Sequence, residues 1–199
     1  MRSDTLGSAA GQPGRHLMIR AMDVYEDLNA MQEMLESAEP LFSEHNQISV
    51  TCRPSATDPL SDAIGWLPEG VAEADFSEIT APFVGTAVER LLLNLPFAFG
   101  RTRLMRMRPK SCLSVHADPT RRYHYAITTN SGCYIVGVNN DTGTFHHIPA
   151  DGQLYEMDAH KTHTAMNSGK RDRVHLVICP ADPTRPKDAE PIGRKNDPR

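Results

Sequence analysis

The sequence predicts a mainly β protein, with an antiparallel sandwich or barrel as its core and two helices that precede and pack on it. From Arg101 to Cys179 the chain is a series of short β-type runs, each bounded by Gly, Asn, Asp or Pro. No helical periodicity interrupts the series, and about eight strands at this regular spacing are typical of a sandwich or barrel. The runs are 101–108, 112–117, 122–129, 133–138, 143–148, 152–157, 160–166 and 173–179.

The first helical pattern begins at Asp23. Glu26, three residues later, completes a capping box, and Pro40 ends the pattern. Apolar residues recur with the spacing of one helix face at Val24, Leu28, Met31 and Leu35.

The second helical pattern covers Thr80 to Leu95. Thr80 is a suitable N-cap, Pro82 fits the first turn, and Pro96 stops the helix. Between the two helices, residues 47–52 are predicted to form one strand, which a loop rich in Pro and Asp follows.

Length and composition limit the class of protein. The chain has 199 residues, of which 39% are hydrophobic and 23% are charged, so it suits one globular domain rather than a disordered chain. A formal net charge of −4 is unlike that of a nucleic-acid binder, and we expect no nucleic-acid partner. No apolar run approaches the roughly 18 residues of a membrane span, so we expect no membrane association.

The ends of the chain differ in composition from its middle. We predict a flexible arm over 1–16, a single domain over 17–180 with its core at 97–180, and a tail rich in Pro and charge over 181–199. The N-terminus has no apolar segment typical of secretion, and the four cysteines form no C-x-x-C pair. Both features predict a cytoplasmic protein with reduced thiols.

Three residues of the β region suit a metal. His116 and Asp118 are alternate residues of a predicted strand and share one face, and His163 lies on a later strand. Two imidazoles and a carboxylate on one side of an ion suit Fe(II) and leave positions open for oxygenase chemistry. Alone, the H-x-D pattern is weak evidence, because a surface strand with a hydrogen-bonded histidine has the same pattern.

Basic residues on neighbouring strands suit an acidic ligand. Arg173 starts the last strand, ten residues after His163. A guanidinium that points into a barrel requires a carboxylate, either from a ligand or, in a structural salt bridge, from Asp158 or Asp172. Arg122 and His124 share a face of another strand and form a second candidate clamp, or else an exposed basic edge.

Taken together, these elements resemble the aspartyl/asparaginyl β-hydroxylase family of Fe(II)/2-oxoglutarate dioxygenases. The family has a first histidine ligand, an R-x-H strand, a distal histidine in an H-x-x-x-N setting and an arginine ten residues later. This chain has His116, then Arg122-Tyr123-His124, then His163 to Asn167, then Arg173. It departs from several members at Asp118, where they have glycine.

The resemblance implies a double-stranded β-helix of the cupin or jelly-roll type that hydroxylates a C–H bond. His116, Asp118 and His163 would hold Fe(II), and O2 would be the oxidant. Arg122 and His124 would help to hold the keto acid end of 2-oxoglutarate, and Arg173 its far carboxylate. Succinate and CO2 would be the coproducts.

Several alternatives stay open. The alternative function is that of a non-oxidative metal-binding cupin, such as an isomerase or a small-molecule sensor. The substrate is a free amino acid, a peptide side chain or another small molecule, and a homodimer is suggested only by analogy. The arginines at 101, 103, 106 and 108 are interpreted as a solvated edge strand, with a rim that attracts an acidic substrate as the alternative.

Overall fold

Two antiparallel sheets packed face to face form the core of the protein. The computed structural model describes residues 18–42, 45–139 and 142–182. Its strands are β1 (Ile19–Tyr25), β2 (Gln47–Ser49), β3 (Thr51–Cys52), β4 (Glu78–Ile79), β5 (Phe99–Met107), β6 (Ser111–Cys112), β7 (Arg122–Thr128), β8 (Cys133–Asn139), β9 (Thr142–His146), β10 (Gln153–Met157), β11 (His163–Asn167) and β12 (Arg173–Pro180). Its α-helices are α1 (Leu28–Ala38) and α2 (Ala87–Leu93).

The order of the strands confirms the predicted double-stranded β-helix. The larger sheet has six strands in the order β1-β10-β7-β12-β5-β2, and the smaller has four in the order β6-β11-β8-β9. Strands that are neighbours in space are therefore distant in sequence, as in a jelly roll. A separate pair, β3 and β4, joins the loops before the core.

Alternation along the strands of the larger sheet separates two environments. On β7, Tyr123, Tyr125 and Ile127 face α1 and α2 and belong to the larger apolar core. Arg122 and His124 lie on the opposite face, which is the inner face towards the smaller sheet. The helices thus cover the outer face, and the polar side chains are enclosed between the sheets.

The first helix begins later than the sequence predicts. Residues up to Tyr25 belong to β1, which pairs with β10 and so keeps this segment extended. Asp27 is the actual N-cap, since its carboxylate accepts hydrogen bonds from the backbone N–H groups of Asn29 (2.8 Å) and Ala30 (3.3 Å). The helix ends at Ala38, and Pro40 lies in a short 3-10 helix.

The second predicted helix is divided. A 3-10 helix forms at Ala81–Phe83, and α2 starts only at Ala87, with Thr86 as its N-cap. Gly85 lies between them with a φ of 77°, a left-handed conformation that interrupts a right-handed helix. Phe83 is fully buried.

Seven of the eight predicted β runs correspond to strands, with small changes at their ends. The run over 112–117 is wrong: β6 stops at Cys112, and His116 then forms an isolated bridge with His163. The predicted strand over 47–52 is two strands, because β2 pairs with β5 whereas β3 pairs with β4.

The predicted arm over 1–16 lies outside the described residues, as does the predicted tail apart from Ala181 and Asp182. The division of the chain into arm, domain and tail therefore stays a prediction. In the part of the chain that the structure describes, no helix has the length and apolar character needed to cross a membrane.

Replacement of Phe83 by alanine tests the packing of the helices on the sheet. Because this ring is fully buried in the outer core, we expect Phe83→Ala to lower the free energy of unfolding by about 3–5 kcal/mol. Phe145 is 62% exposed on β9, so Phe145→Ala should change it by less than about 1 kcal/mol. Urea denaturation of the two variants measures both values, and equal losses would contradict this packing.

Candidate metal and cosubstrate site

His116, Asp118 and His163 converge at one end of the space between the sheets. The Nε2 atoms of His116 and His163 lie 3.9 and 3.7 Å from Asp118 Oδ2. Potential ligand atoms of all three residues lie within 4.8 Å of one another. The three residues predicted from the sequence thus lie together. His116 and Asp118, however, lie in a segment with only an isolated bridge, at His116, and not in a continuous strand.

Backbone pairing brings the two histidines together. The N–H of His116 donates to the carbonyl of His163 at 2.9 Å, and the N–H of His163 donates to the carbonyl of His116 at 2.7 Å. The backbone N–H of Asp118 donates to the carbonyl of Ala159 at 2.8 Å. Each ligand candidate is thus fixed by its own main chain, which limits how far the three side chains can separate.

The hydrogen bonds of the two rings leave Nε2 free to bind a metal. His116 Nδ1 lies 2.8 Å from the carbonyl of Ser114, and His163 Nδ1 lies 2.8 Å from that of Lys161. A carbonyl only accepts, so each Nδ1 carries the proton and each Nε2 has its lone pair available. Burial lowers the pKa of His163, which favours the neutral form that binds metals.

Arg122 holds the carboxylate of the triad from behind. Its Nη2 lies 3.0 Å from Asp118 Oδ1 and 2.9 Å from Glu73 Oε1. The other oxygen of Asp118, Oδ2, is the one that faces the two histidines. Glu73 also accepts a hydrogen bond from the hydroxyl of Thr120. Glu73, Thr120 and Arg122 are buried, and Asp118 is half-buried.

The structure gives Arg122 contacts that the sequence did not indicate. Its guanidinium pairs with two carboxylates of the protein, and the contact with Asp118 orients that carboxylate. Glu73 was not identified from the sequence. It lies in a 3-10 helix within an irregular loop, where no periodicity indicates which side chain points inward.

A second group of polar side chains continues along the inner face of β7 and β12. His124 is buried, and neither of its ring nitrogens has a hydrogen-bond partner. Its ring centroid lies 5.6 Å from that of His175. Burial, together with the charge of Arg173, holds the pKa values of both histidines well below the usual range.

Arg173 lies at the end of this group without a carboxylate partner among the described residues. Its Nε and Nη2 lie 3.1 and 2.8 Å from the two ring nitrogens of His175. A neutral imidazole accepts at one nitrogen only, so one of these contacts at most is a hydrogen bond. Burial lowers the pKa of Arg173 to about 10, so the side chain is still a cation at neutral pH.

The structural salt bridge considered for Arg173 is absent from the described part of the chain. Asp158 pairs with Lys161 at 3.4 Å, and Asp172 lies 3.6 Å from Arg106. The inward-facing guanidinium is thus available to a ligand. The roles of Arg122, His124 and Arg173 in binding 2-oxoglutarate stay predictions.

The interpretation of 101–108 as a solvated edge strand is wrong. β5 lies between β12 and β2, and the side chains of Arg101 and Arg103 are buried on its inner face. Arg106 points to the other face, where it pairs with Glu39 and lies 3.8 Å from the ring of Phe42. Alternation of arginine with small or apolar residues was the signal for burial, but a run of four cations indicates exposure more strongly.

Comparison with protein families identifies the chain. The model of the aspartyl/asparaginyl beta-hydroxylase family matches residues 74–183, which are more than half of the chain. The chain belongs to this family. It is thus related to hydroxylases, which are oxidoreductases, and the matched segment contains the triad, Arg122, His124 and Arg173. No curated protein matches the chain.

Similar solved structures are only distantly related to this hydroxylase-family chain. An oxidoreductase of the 2OG-Fe(II) oxygenase family from Burkholderia pseudomallei is 16% identical, with a TM-score of 0.41 over 75% of this chain and 78% of that one. AviO1 from Streptomyces viridochromogenes Tue57 is 12% identical, with a TM-score of 0.45 over 80% of this chain and 86% of that one.

The buried histidines predict how stability depends on pH. His124 and His175 have lowered pKa values when folded, so below the usual histidine pKa of about 6.5 the unfolded chain binds protons that the folded chain does not. Their contribution to stability is present above that pH and is lost as the pH falls. Each histidine should lower the free energy of unfolding by about 1.4 kcal/mol between about pH 7.5 and 5.5.

Urea denaturation at these two pH values measures the effect. His175→Gln should lose less stability than the wild type on acidification, by about 1.4 kcal/mol, because one buried histidine has been removed. His160 is exposed, so His160→Gln is the matched control and should behave as the wild type. The same loss in His175→Gln as in the wild type would contradict the assignment.

Proposed function

We propose that the protein is an Fe(II)/2-oxoglutarate-dependent dioxygenase that hydroxylates a C–H bond of an amino acid, a peptide side chain or a related small molecule. The observation that carries the proposal is Arg173, a buried cation with no carboxylate partner among the described residues, on the same inner face as His124 and beyond the triad. A clamp for a carboxylate next to a metal site is what a keto diacid requires.

The donor set fits Fe(II). Two imidazoles and one carboxylate converge, and such a three-ligand set leaves other positions of the metal open for further ligands. When bound, the metal supplies activation of O2 coupled to the oxidative decarboxylation of 2-oxoglutarate, which yields succinate and CO2. His116, Asp118 and His163 would hold it through Nε2, a carboxylate oxygen and Nε2.

Arg122 orients the carboxylate of Asp118. Arg122 contacts Oδ1 of Asp118 and neutralises part of its charge, so that Oδ2 remains directed towards the histidines. Arg122 also forms an ion pair with Glu73, which holds the guanidinium in place beside Asp118. The ion pairs of Arg122 with both carboxylates thus limit how far Asp118 can turn away from His116 and His163.

Arg173 and the two histidines beside it would bind the cosubstrate. The guanidinium of Arg173 offers planar donors to the carboxylate of 2-oxoglutarate that is farther from the metal. The contact with the ring of His175 fixes the orientation of this guanidinium. His124, with two unpartnered ring nitrogens, lies where it would contact the part of the cosubstrate nearer the triad. The apolar residues that flank this group exclude water.

Loss of the metal in ligand variants tests the triad. His116→Ala and His163→Ala should weaken Fe(II) binding at least about 100-fold, because each removes one of three ligands. His160→Ala is the control, since His160 is exposed and does not belong to the triad. Anaerobic isothermal titration with Fe(II) measures the affinities. Unchanged affinity in both triad variants would exclude this site.

A second test concerns the clamp. Arg173→Lys retains the charge but loses the planar fork, so its affinity for 2-oxoglutarate in the presence of Fe(II) should fall at least about tenfold. The matched control is Arg171→Lys, because Arg171 is exposed in the turn before β12. If Arg173→Lys binds 2-oxoglutarate as the wild type does, Arg173 does not hold the cosubstrate. Iron binding without any 2-oxoglutarate binding in the wild type would instead favour a non-oxidative metal cupin.

A further inference from the structure

A second buried arginine on the inner face has no assigned partner. Arg103 lies on β5, where its backbone pairs with Val177 of β12 on one side and Ser49 of β2 on the other. Its side chain is 8% exposed, so water does not solvate it fully. Burial lowers its pKa to about 10, which leaves it protonated at neutral pH.

One edge of the Arg103 guanidinium is unused. Among the described residues its sole hydrogen bond runs from Nη1 to the side-chain carbonyl of Gln47, at 3.1 Å. Nε is buried and has no partner. Nε and Nη2 together form the side of a guanidinium that binds a carboxylate through two parallel hydrogen bonds. The hydrogen bond to Gln47 holds the guanidinium in place and leaves Nε and Nη2 without a partner among the described residues.

The neighbouring arginines have partners within the protein, but none of these partners is shared with Arg103. Arg101 donates to the backbone carbonyls of Ala63 and Gly65, and Arg122 pairs with Glu73 and Asp118. No carboxylate of the described chain lies within ion-pair distance of Arg103. A buried cation without an anion is costly, so the arrangement suits a ligand that brings one.

Charge counting gives the same result. Among the residues that the structure describes, the inner face holds four arginines, at 101, 103, 122 and 173, and the carboxylates Glu73 and Asp118. The formal excess is therefore two positive charges before a divalent metal binds. The metal and the two carboxylates of 2-oxoglutarate cancel each other, so an excess of two positive charges remains for the substrate.

The position of Arg103 separates it from the clamp for the cosubstrate. Arg103 pairs with Val177, whereas Arg173 begins the same strand four residues earlier, roughly 13 Å away along an extended chain. Val177 also pairs with His124 of β7, so Arg103 and His124 flank the same residue from opposite sides. Arg103 thus lies beside the site, at a different point from Arg173.

We propose that Arg103 binds a carboxylate of the substrate through Nε and Nη2, and that the substrate is a small carboxylic acid. The inference rests on the proposed function and specifies its substrate class. The burial of Arg103 restricts access to a small molecule rather than a side chain of a folded protein. Gln47 acts as a positioning residue, because it holds the guanidinium through Nη1.

Binding of acids and of their amides tests the proposal. Protein loaded anaerobically with Fe(II) and 2-oxoglutarate is titrated calorimetrically with the standard L-amino acids, straight-chain mono- and dicarboxylic acids, and the amide of each. We expect at least one acid to bind, and its amide to bind at least about tenfold more weakly, since an amide lacks the charge and one acceptor. This comparison needs only the wild-type protein.

Variants of Arg103 then locate the binding. Arg103→Met should weaken binding of that acid at least about tenfold, and Arg103→Lys should weaken it less, because an ammonium retains the charge without the fork. The control is Arg108→Met, an exposed arginine just beyond β5 that donates to Asn46. Thermal unfolding followed by circular dichroism checks that each variant is folded.

Three results would overturn the inference: no acid binds, the amide binds as well as the acid, or Arg103→Met binds the acid as the wild type does. A separate titration of the Fe(II)-loaded wild type with 2-oxoglutarate, without any acid, distinguishes failure of this inference from failure of the proposed function. If 2-oxoglutarate does not bind to the wild type with Fe(II), both proposals are wrong. If it binds and the acids behave in one of the three ways, only the role of Arg103 is wrong.

Discussion

A guanidinium removed from water costs several kcal/mol unless an anion meets it, and this constraint organises the space between the two sheets. Arg122 has its anions within the protein, because it pairs with Glu73 and Asp118, and it thereby orients the carboxylate of the triad. Arg103 and Arg173 lack such a carboxylate among the described residues. Their unmet charges are the features that indicate ligands.

The fold offsets the cost of these buried charges with apolar packing elsewhere. The large apolar core lies on the outer face of the six-stranded sheet, under α1 and α2, so stability does not depend on the inner face alone. The inner face is free to hold histidines and arginines, with a smaller apolar group around them. Alternation along β5, β7 and β12 is the local rule that separates the two faces.

Much of this was predictable from the sequence, because period-two alternation and turn residues define strands wherever they recur. The H-x-D pattern with a distant histidine indicates His116, Asp118 and His163, and the spacing after His163 indicates Arg173. No sequence pattern indicates Glu73, since irregular loops have no periodicity that shows an inward side chain. The burial of Arg101 and Arg103 depends on which strands pair with β5, and strand order is a property of the tertiary fold that a local run of arginines does not show.

In the proposed function, the triad and Arg173 form one site for a metal and a keto diacid. An anaerobic titration of the Fe(II)-loaded protein with 2-oxoglutarate, followed by visible absorption, tests it most directly. We expect a metal-to-ligand charge-transfer band in the wild type and no band in His163→Ala. Tight Fe(II) binding with no band on saturation with 2-oxoglutarate would contradict it.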